Sequence, residues 1–149
     1  MRDGVRRFTI LLAEDEPANA HLVKMALKES HILADLQHVL DGREALAFLR
    51  REGARFATAP LPDLILLDLN MPRMDGRECL AAIKQDKVLH RIPVLMLTTS
   101  DAERDVVAAY DLGASGYITK PLDMGEFIAV LGKVCNYWIS LVRLPEHAE

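Results

Sequence analysis

Short apolar runs alternate along this chain with longer segments whose apolar residues recur every three to four positions. The runs are Phe8 to Ala13 (FTILLA), Leu64 to Leu69 (LILLDL) and Ile92 to Thr98 (IPVLMLT). Continuous apolar character over such short spans predicts strands buried on both faces. Asp35 to Leu40 (DLQHVL) reads as a weaker second strand and Gly116 to Thr119 as a short fifth. The segments between them carry helical spacing. Pro17 suits the first position of a helix, and Leu22, Val23, Ala26 and Leu27 follow it at that period. Ala45, Leu46, Phe48 and Leu49 come after an Asp41-Gly42 turn signal, and Cys79, Leu80 and Ile83 after the turn Met71 to Gly76 (MPRMDG). Val106, Val107, Tyr110 and Leu112 mark a fourth helix that stops at Gly113. Asp123 caps a last helix expected to run to about Leu144. Gly53 to Pro62 (GARFATAPLP) has helix breakers and no period, so it is expected to be a loop.

Five strand-helix units in succession imply an α/β fold: a parallel sheet with helices on both faces. The length of 149 residues fits a single domain, expected to have an N-terminal tail at 1–7 and a C-terminal tail at 145–149. Composition narrows the function classes. Half the residues are hydrophobic and 27% are charged, as in an ordinary globular protein. The net charge of -4 supplies no global basic field, so no nucleic-acid partner is expected. No apolar run approaches the roughly 20 residues that span a bilayer, so no membrane partner is expected either. The N-terminal apolar run is short and ends in acids without a small-residue cleavage site, which argues against a leader peptide. Cys79 and Cys135 lack metal-type spacing and read as reduced thiols of a cytoplasmic protein.

In doubly wound sheets the ligand site lies beyond the carboxyl ends of the strands. Here those ends carry Glu14 and Asp15 after the first strand, Asp68 at the third, Thr98 at the fourth and Lys120 after the fifth. The doubly wound order sets these four strands side by side, so their ends converge on one crevice. Crowded carboxylates repel one another, and a hard dication relieves that. Mg²⁺ suits such a site: it takes oxygen ligands and typically binds one or two carboxylates plus phosphate. A carboxylate beside it can attack phosphorus. Lys120 and the Thr98 hydroxyl can stabilise charge on the phosphoryl oxygens. Taken singly, each residue also has an ordinary explanation as a cap, a turn residue or a surface charge. Their joint placement at the correct strand ends argues for function.

With these residues in view, the chain resembles the response-regulator receiver family. The matching segments are LLAEDEP, LILLDLNMPRMDGRE, IPVLMLTTS and GYITKP, in order across most of the chain. The resemblance implies a flavodoxin-like five-stranded sheet of order 2-1-3-4-5. It implies that Asp68 accepts a phosphoryl group from a histidine kinase. By the same resemblance Asp15, Asp68 and the Asn70 carbonyl ligate Mg²⁺, with Glu14 acting through water, and Lys120 contacts the phosphoryl group. Thr98 and Tyr117 form the switch pair, and the Lys120-Pro121 bond is expected to be cis. Thr99 is bulkier than the small residue common at its position. Ser100 stands where some chemotaxis receivers carry an acid, which bears on the dephosphorylation rate. The long loop before the third strand, the phrase LTTSDAERDVVAAYDLGASGYITKP and the tail with Trp138 and LVRLP resemble the small receivers that serve bacterial phytochrome histidine kinases.

Two other classes are weighed against a phosphorylation switch. A haloacid-type phosphatase would carry a second catalytic acid two residues after its nucleophile, where this chain has Asn70. A degenerate scaffold would not need the complete set of acids, Thr98 and Lys120. The switch is expected to act by protein contact. The last helix continues past Phe127, Leu131 and Val134 into Trp138, Ile139, Leu141, Val142 and Leu144. Apolar surface beyond the needs of a core often marks an interface. A homodimer through the fourth helix, fifth strand and last helix is therefore expected, with fold-back onto the domain's own surface as the alternative.

Overall fold

The computed structural model of the chain describes residues 8–145, save the side chain of Leu141. A parallel sheet carries five strands in the order β2-β1-β3-β4-β5. They are β1 (Phe8–Ala13), β2 (Ala34–Val39), β3 (Leu64–Leu67), β4 (Val94–Thr98) and β5 (Gly116–Thr119). The helices are α1 (Pro17–Glu29), α2 (Gly42–Arg50), α3 (Gly53–Phe56), α4 (Gly76–Gln85), α5 (Glu103–Asp111) and α6 (Met124–Asn136). The expected fold class and strand order are both observed.

The interior strands were readable because both their faces are covered. Side chains alternate along a strand, and the alternation sorts β1, β3 and β4 into two cores. Leu11, Ala13, Ile65, Leu67, Val94 and Met96 meet α2 and α4 on one face. Ile10, Leu12, Leu64, Leu66, Leu95 and Leu97 meet α1 and α6 on the other. Burying each such aliphatic side chain contributes roughly 2 kcal/mol, so the three central strands form a rigid platform. The edge strand β2 is half-buried along most of its length, which accounts for its weaker apolar signal.

Several boundaries differ from the expectation. β3 ends at Leu67, so Asp68 stands just past the strand rather than inside it. β4 begins at Val94, because Leu89–Arg91 form a 3₁₀ turn and Pro93, lacking an N–H, cannot donate to a ladder. The expected loop at 53–62 contains the single helical turn α3, too short to show a period. The last helix widens into a π-helical turn, Tyr137–Leu141, and ends there instead of at Leu144. The Lys120–Pro121 peptide, expected cis, is trans, the lower-energy isomer of an X–Pro bond. The tails expected at 1–7 and 145–149 lie, apart from Pro145, outside the described residues.

The extension after α6 takes the fold-back course. Trp138, Ile139 and Leu144 pack, partly buried, against the core shared by α1 and α6. The Trp138 ring also meets Tyr137 edge to face, with centroids 5.8 Å apart.

Candidate functional site

Register brings the expected residues together. Ala13 of β1 lies opposite Leu67 of β3, so the next residues, Glu14 and Asp68, leave the sheet side by side. Thr98 lies opposite Thr119, which places Lys120 at the adjoining strand end. The Asp68 N–H donates to Ala13 O (3.1 Å), the Glu14 N–H to Val39 O (3.0 Å) and the Lys120 N–H to Thr98 O (2.7 Å). These bonds prolong the ladders by one residue and hold the three side chains on rigid backbone.

Glu14, Asp15 and Asp68 each offer a carboxylate oxygen within 4.8 Å of the others. Glu14 and Asp68 are buried and Asp15 is half-exposed. The Lys120 ammonium reaches into the cluster. It donates to Glu14 Oε1 at 2.6 Å and lies 3.6 Å from Asp68 Oδ2. The other Glu14 oxygen accepts the Glu16 N–H at 3.1 Å. Both Glu14 oxygens are thus occupied by donors, leaving Asp15 and Asp68 as the more open carboxylates. The His38 ring donates from Nε2 to the Glu14 carbonyl at 2.7 Å, bracing this corner from β2.

The electrostatics are those of a crowded acid site. Burial raises the Asp68 carboxyl to about 6; the nearby Lys120 charge pulls it down and Glu14 pushes it back up. The Asn70 backbone also bonds the Asp68 carboxylate and favours its charged form. One ammonium facing three carboxylates leaves excess negative charge on an all-oxygen donor set. That is the donor chemistry of a hard divalent cation, so the residues present fit such an ion.

Thr98 is buried, and its Oγ1 accepts the Ser100 N–H at 3.3 Å. That bond uses the oxygen as an acceptor and does not engage the hydroxyl proton. Tyr117 lies opposite Met96 in the ladder, diagonal to Thr98 on the same sheet face. Its ring packs on the core beneath α4 and α5, and its hydroxyl donates to Ser100 O at 2.9 Å. Burial holds that phenol above its ordinary range. Ser100 therefore touches both expected switch residues through its own peptide groups.

Two arrangements were not anticipated. Ser100 Oγ donates to Asp105 Oδ2 at 2.6 Å, and Arg77 of α4 lies 3.5 Å from Asp105 Oδ1. Arg73, in the loop after β3, pairs with the buried Asp41 at the start of α2. Asp41 was legible as a turn residue; its capping of α2 and its ionic partner came from the structure. The partner was hidden because the two are 32 positions apart.

A crevice at the strand ends of a 2-1-3-4-5 sheet, with an acid cluster, an invading lysine and a buried threonine, defines a phospho-accepting receiver. The chain belongs to the response regulator receiver domain family, whose model matches residues 10–132. It is thereby a response regulator of two-component signalling. Among curated proteins it is 45% identical over 136 residues to response regulator Rcp1 of the cyanobacterium Synechocystis, covering 91% of this chain and 92% of the relative. Among solved structures it is similar to the phosphorylated cyanobacterial phytochrome response regulator RcpA. That match has a TM-score of 0.90 and 43% identity, over 95% of this chain and all of the other. It is also similar to the Mn²⁺-bound form of Rcp1, with a TM-score of 0.84 and 43% identity over 93% and 99% of the two chains.

Proposed function

We propose that this chain is a phosphorylation switch in which Asp68 accepts a phosphoryl group from a histidine kinase of the phytochrome type. The observation that carries this reading is the Lys120 ammonium set between Glu14 and Asp68 at adjoining strand ends. An Asp68 oxygen attacks the phosphorus of a phosphohistidine, the P–N bond breaks, and the imidazole takes the electron pair. Water later cleaves the acyl phosphate, returning Asp68 and inorganic phosphate. Asp15, Asp68 and the Asn70 carbonyl, with Glu14 acting through water, would hold Mg²⁺, which would supply charge neutralisation for the phosphoryl oxygens. Lys120 stabilises the same charge, and the Thr98 hydroxyl donates to a phosphoryl oxygen. Thr98 and Tyr117 report the event through the Ser100 loop to α5 and β5. The kinase class is supported by the similarity to RcpA, a phytochrome response regulator.

The output is protein contact in the cytoplasm. Buried, unbridged Cys79 and Cys135 suit a reducing compartment, and among the described residues no helix is long and apolar enough to cross a membrane. A homodimer forms through the face of α5, β5 and α6. Exposed Val107, Tyr110 and Met124 support that surface.

The test is uptake of label from radioactive acetyl phosphate and from a phosphorylated phytochrome kinase, each with Mg²⁺. Wild type should incorporate phosphoryl and Asp68→Asn should not, while keeping its fold. Thr98→Ala should still be labelled but show a blunted chemical-shift response at Tyr117. Labelling of Asp68→Asn at the wild-type level would remove Asp68 as the acceptor.

A further inference from the structure

We propose that Arg73 and Asp41 form a clamp that positions the Asn70 backbone beside Asp68, which makes Arg73 a positioning residue for cation binding and phosphoryl uptake. The inference rests on the function proposed above and assigns roles to two residues outside the acid cluster.

The loop from Asn70 to Asp75 carries no regular structure, yet Asn70 must hold its backbone against the Asp68 carboxylate. Three ties replace the missing ladder. The Gly76 N–H donates to Leu69 O at 2.8 Å, and the Gly42 N–H donates to Met74 O at 3.1 Å. The third is ionic. Arg73 donates to Asp41 Oδ2 from Nε at 2.8 Å and again from Nη2. Asp41 is a fixed anchor: its side chain is fully buried, and Oδ1 caps α2 by accepting the Glu44 N–H at 2.9 Å. Charge-assisted bonds to a guanidinium are stronger and more directional than neutral ones.

The backbone shows what the clamp sustains. Arg73 stands at φ +64, a left-handed conformation that an L residue adopts at a cost unless its surroundings hold it there. Locally the Met74 N–H donates to Pro72 O at 2.7 Å across Arg73, and the bond to Asp41 adds the tertiary tie that anchors this turn to α2. Contact with α2 is also close, since a Cβ at Gly42 would fall 2.6 Å from Met74 O. Three peptide bonds separate Arg73 from Asn70, so release of the guanidinium frees the backbone that faces the reacting carboxylate.

The experiment measures Mn²⁺ affinity by proton relaxation, and phosphoryl uptake from acetyl phosphate, for wild type, Arg73→Ala, Asp41→Asn, the double variant and Arg73→Lys. All are compared well below their unfolding temperatures. Asparagine caps helices as well as aspartate, so Asp41→Asn spares α2 and weakens only the ionic tie. Groups that orient metal ligands typically contribute about tenfold or more to affinity. Each single alanine or asparagine variant should therefore bind Mn²⁺ about tenfold more weakly. The double should lose no more than one single, because both act through one contact. Arg73→Lys should recover part of the loss, and uptake should approach wild type at saturating cation. Wild-type Mn²⁺ affinity in variants that merely melt earlier would show a structural role only and overturn the clamp. Losses that add in the double would overturn it as well. A wild type that takes up neither Mn²⁺ nor phosphoryl would overturn the proposed function together with the clamp.

Discussion

Asp68 follows four residues, Leu64 to Leu67, that are wholly inaccessible to solvent, and is itself only 9% exposed. That burial, more than any neighbour, raises the group to about 6 from an ordinary 3.8. Without a cation, the folded chain therefore binds a proton more tightly at Asp68 than the unfolded chain does. Its contribution to stability falls as pH rises from about 4 to 6, and the full cost persists above 6. Roughly two pKa units correspond to at most about 3 kcal/mol. Asp68→Asn should accordingly be more stable than wild type above pH 6 in chelator, by about 1–3 kcal/mol. The advantage should vanish near pH 4. Urea unfolding of both proteins across that range is the measurement, and a pH-independent difference would contradict the burial account. Under the proposed function, a bound cation would offset this cost by favouring the charged Asp68 carboxylate.

Among the elements, the turn from β3 into α4 packs closely on the Asp68 backbone. Gly76 opens α4, and a Cβ there would lie 2.3 Å from Asp68 O and 2.9 Å from Leu69 Cα. Both are backbone atoms with nowhere to retreat. Gly76→Ala gains about 1 kcal/mol of helix propensity, but overpacking of a tight site costs about 1–3 kcal/mol. The variant is expected to be destabilised by up to about 2 kcal/mol net. It should also accept phosphoryl more slowly, because the clash moves the peptide that carries Asp68. A thermal melt and an uptake assay on the same sample check both halves, and an alanine variant matching wild type in each would show the turn to be more compliant than its contacts indicate. On the far side of α4, Arg77 meets Asp105, which in turn accepts from Ser100. These contacts tie α4, α5 and the loop after Thr98 to one another.

For the whole molecule, the structure redistributes the apolar surface. Trp138 is turned onto the domain's own core, while Tyr110 and Met124 remain 51% and 66% exposed on α5 and α6. The two aromatic residues should therefore separate in effect. Tyr110→Ala should weaken self-association by about tenfold or more, as truncation of an aromatic anchor does, and leave the monomer's stability nearly unchanged. Trp138→Ala should instead cost about 1–3 kcal/mol of folding stability through lost burial. Sedimentation at micromolar concentration, with and without beryllofluoride, together with urea unfolding, distinguishes them. A wild type that sediments as a monomer under both conditions would rule out the dimer.

Sequence alone determined the sheet and most of its site. β1, β3 and β4 are legible because a strand covered on both faces must be apolar throughout, and that leaves Glu14, Asp68 and Thr98 conspicuous at the ends. The helix ends at Gly113 and Asp123 are equally local, since a cap bonds within its own turn. Only the tertiary structure decided which polar groups meet. Lys120 finds Glu14 across 106 positions and Arg73 finds Asp41 across 32. The fold-back of Trp138 is of the same kind. Periodicity encodes which face a residue presents, and this extension is apolar whether it covers its own core or a partner. Which surface it covers depends on the groove between α1 and α6, and that groove exists only once the sheet has brought together helices from opposite ends of the chain.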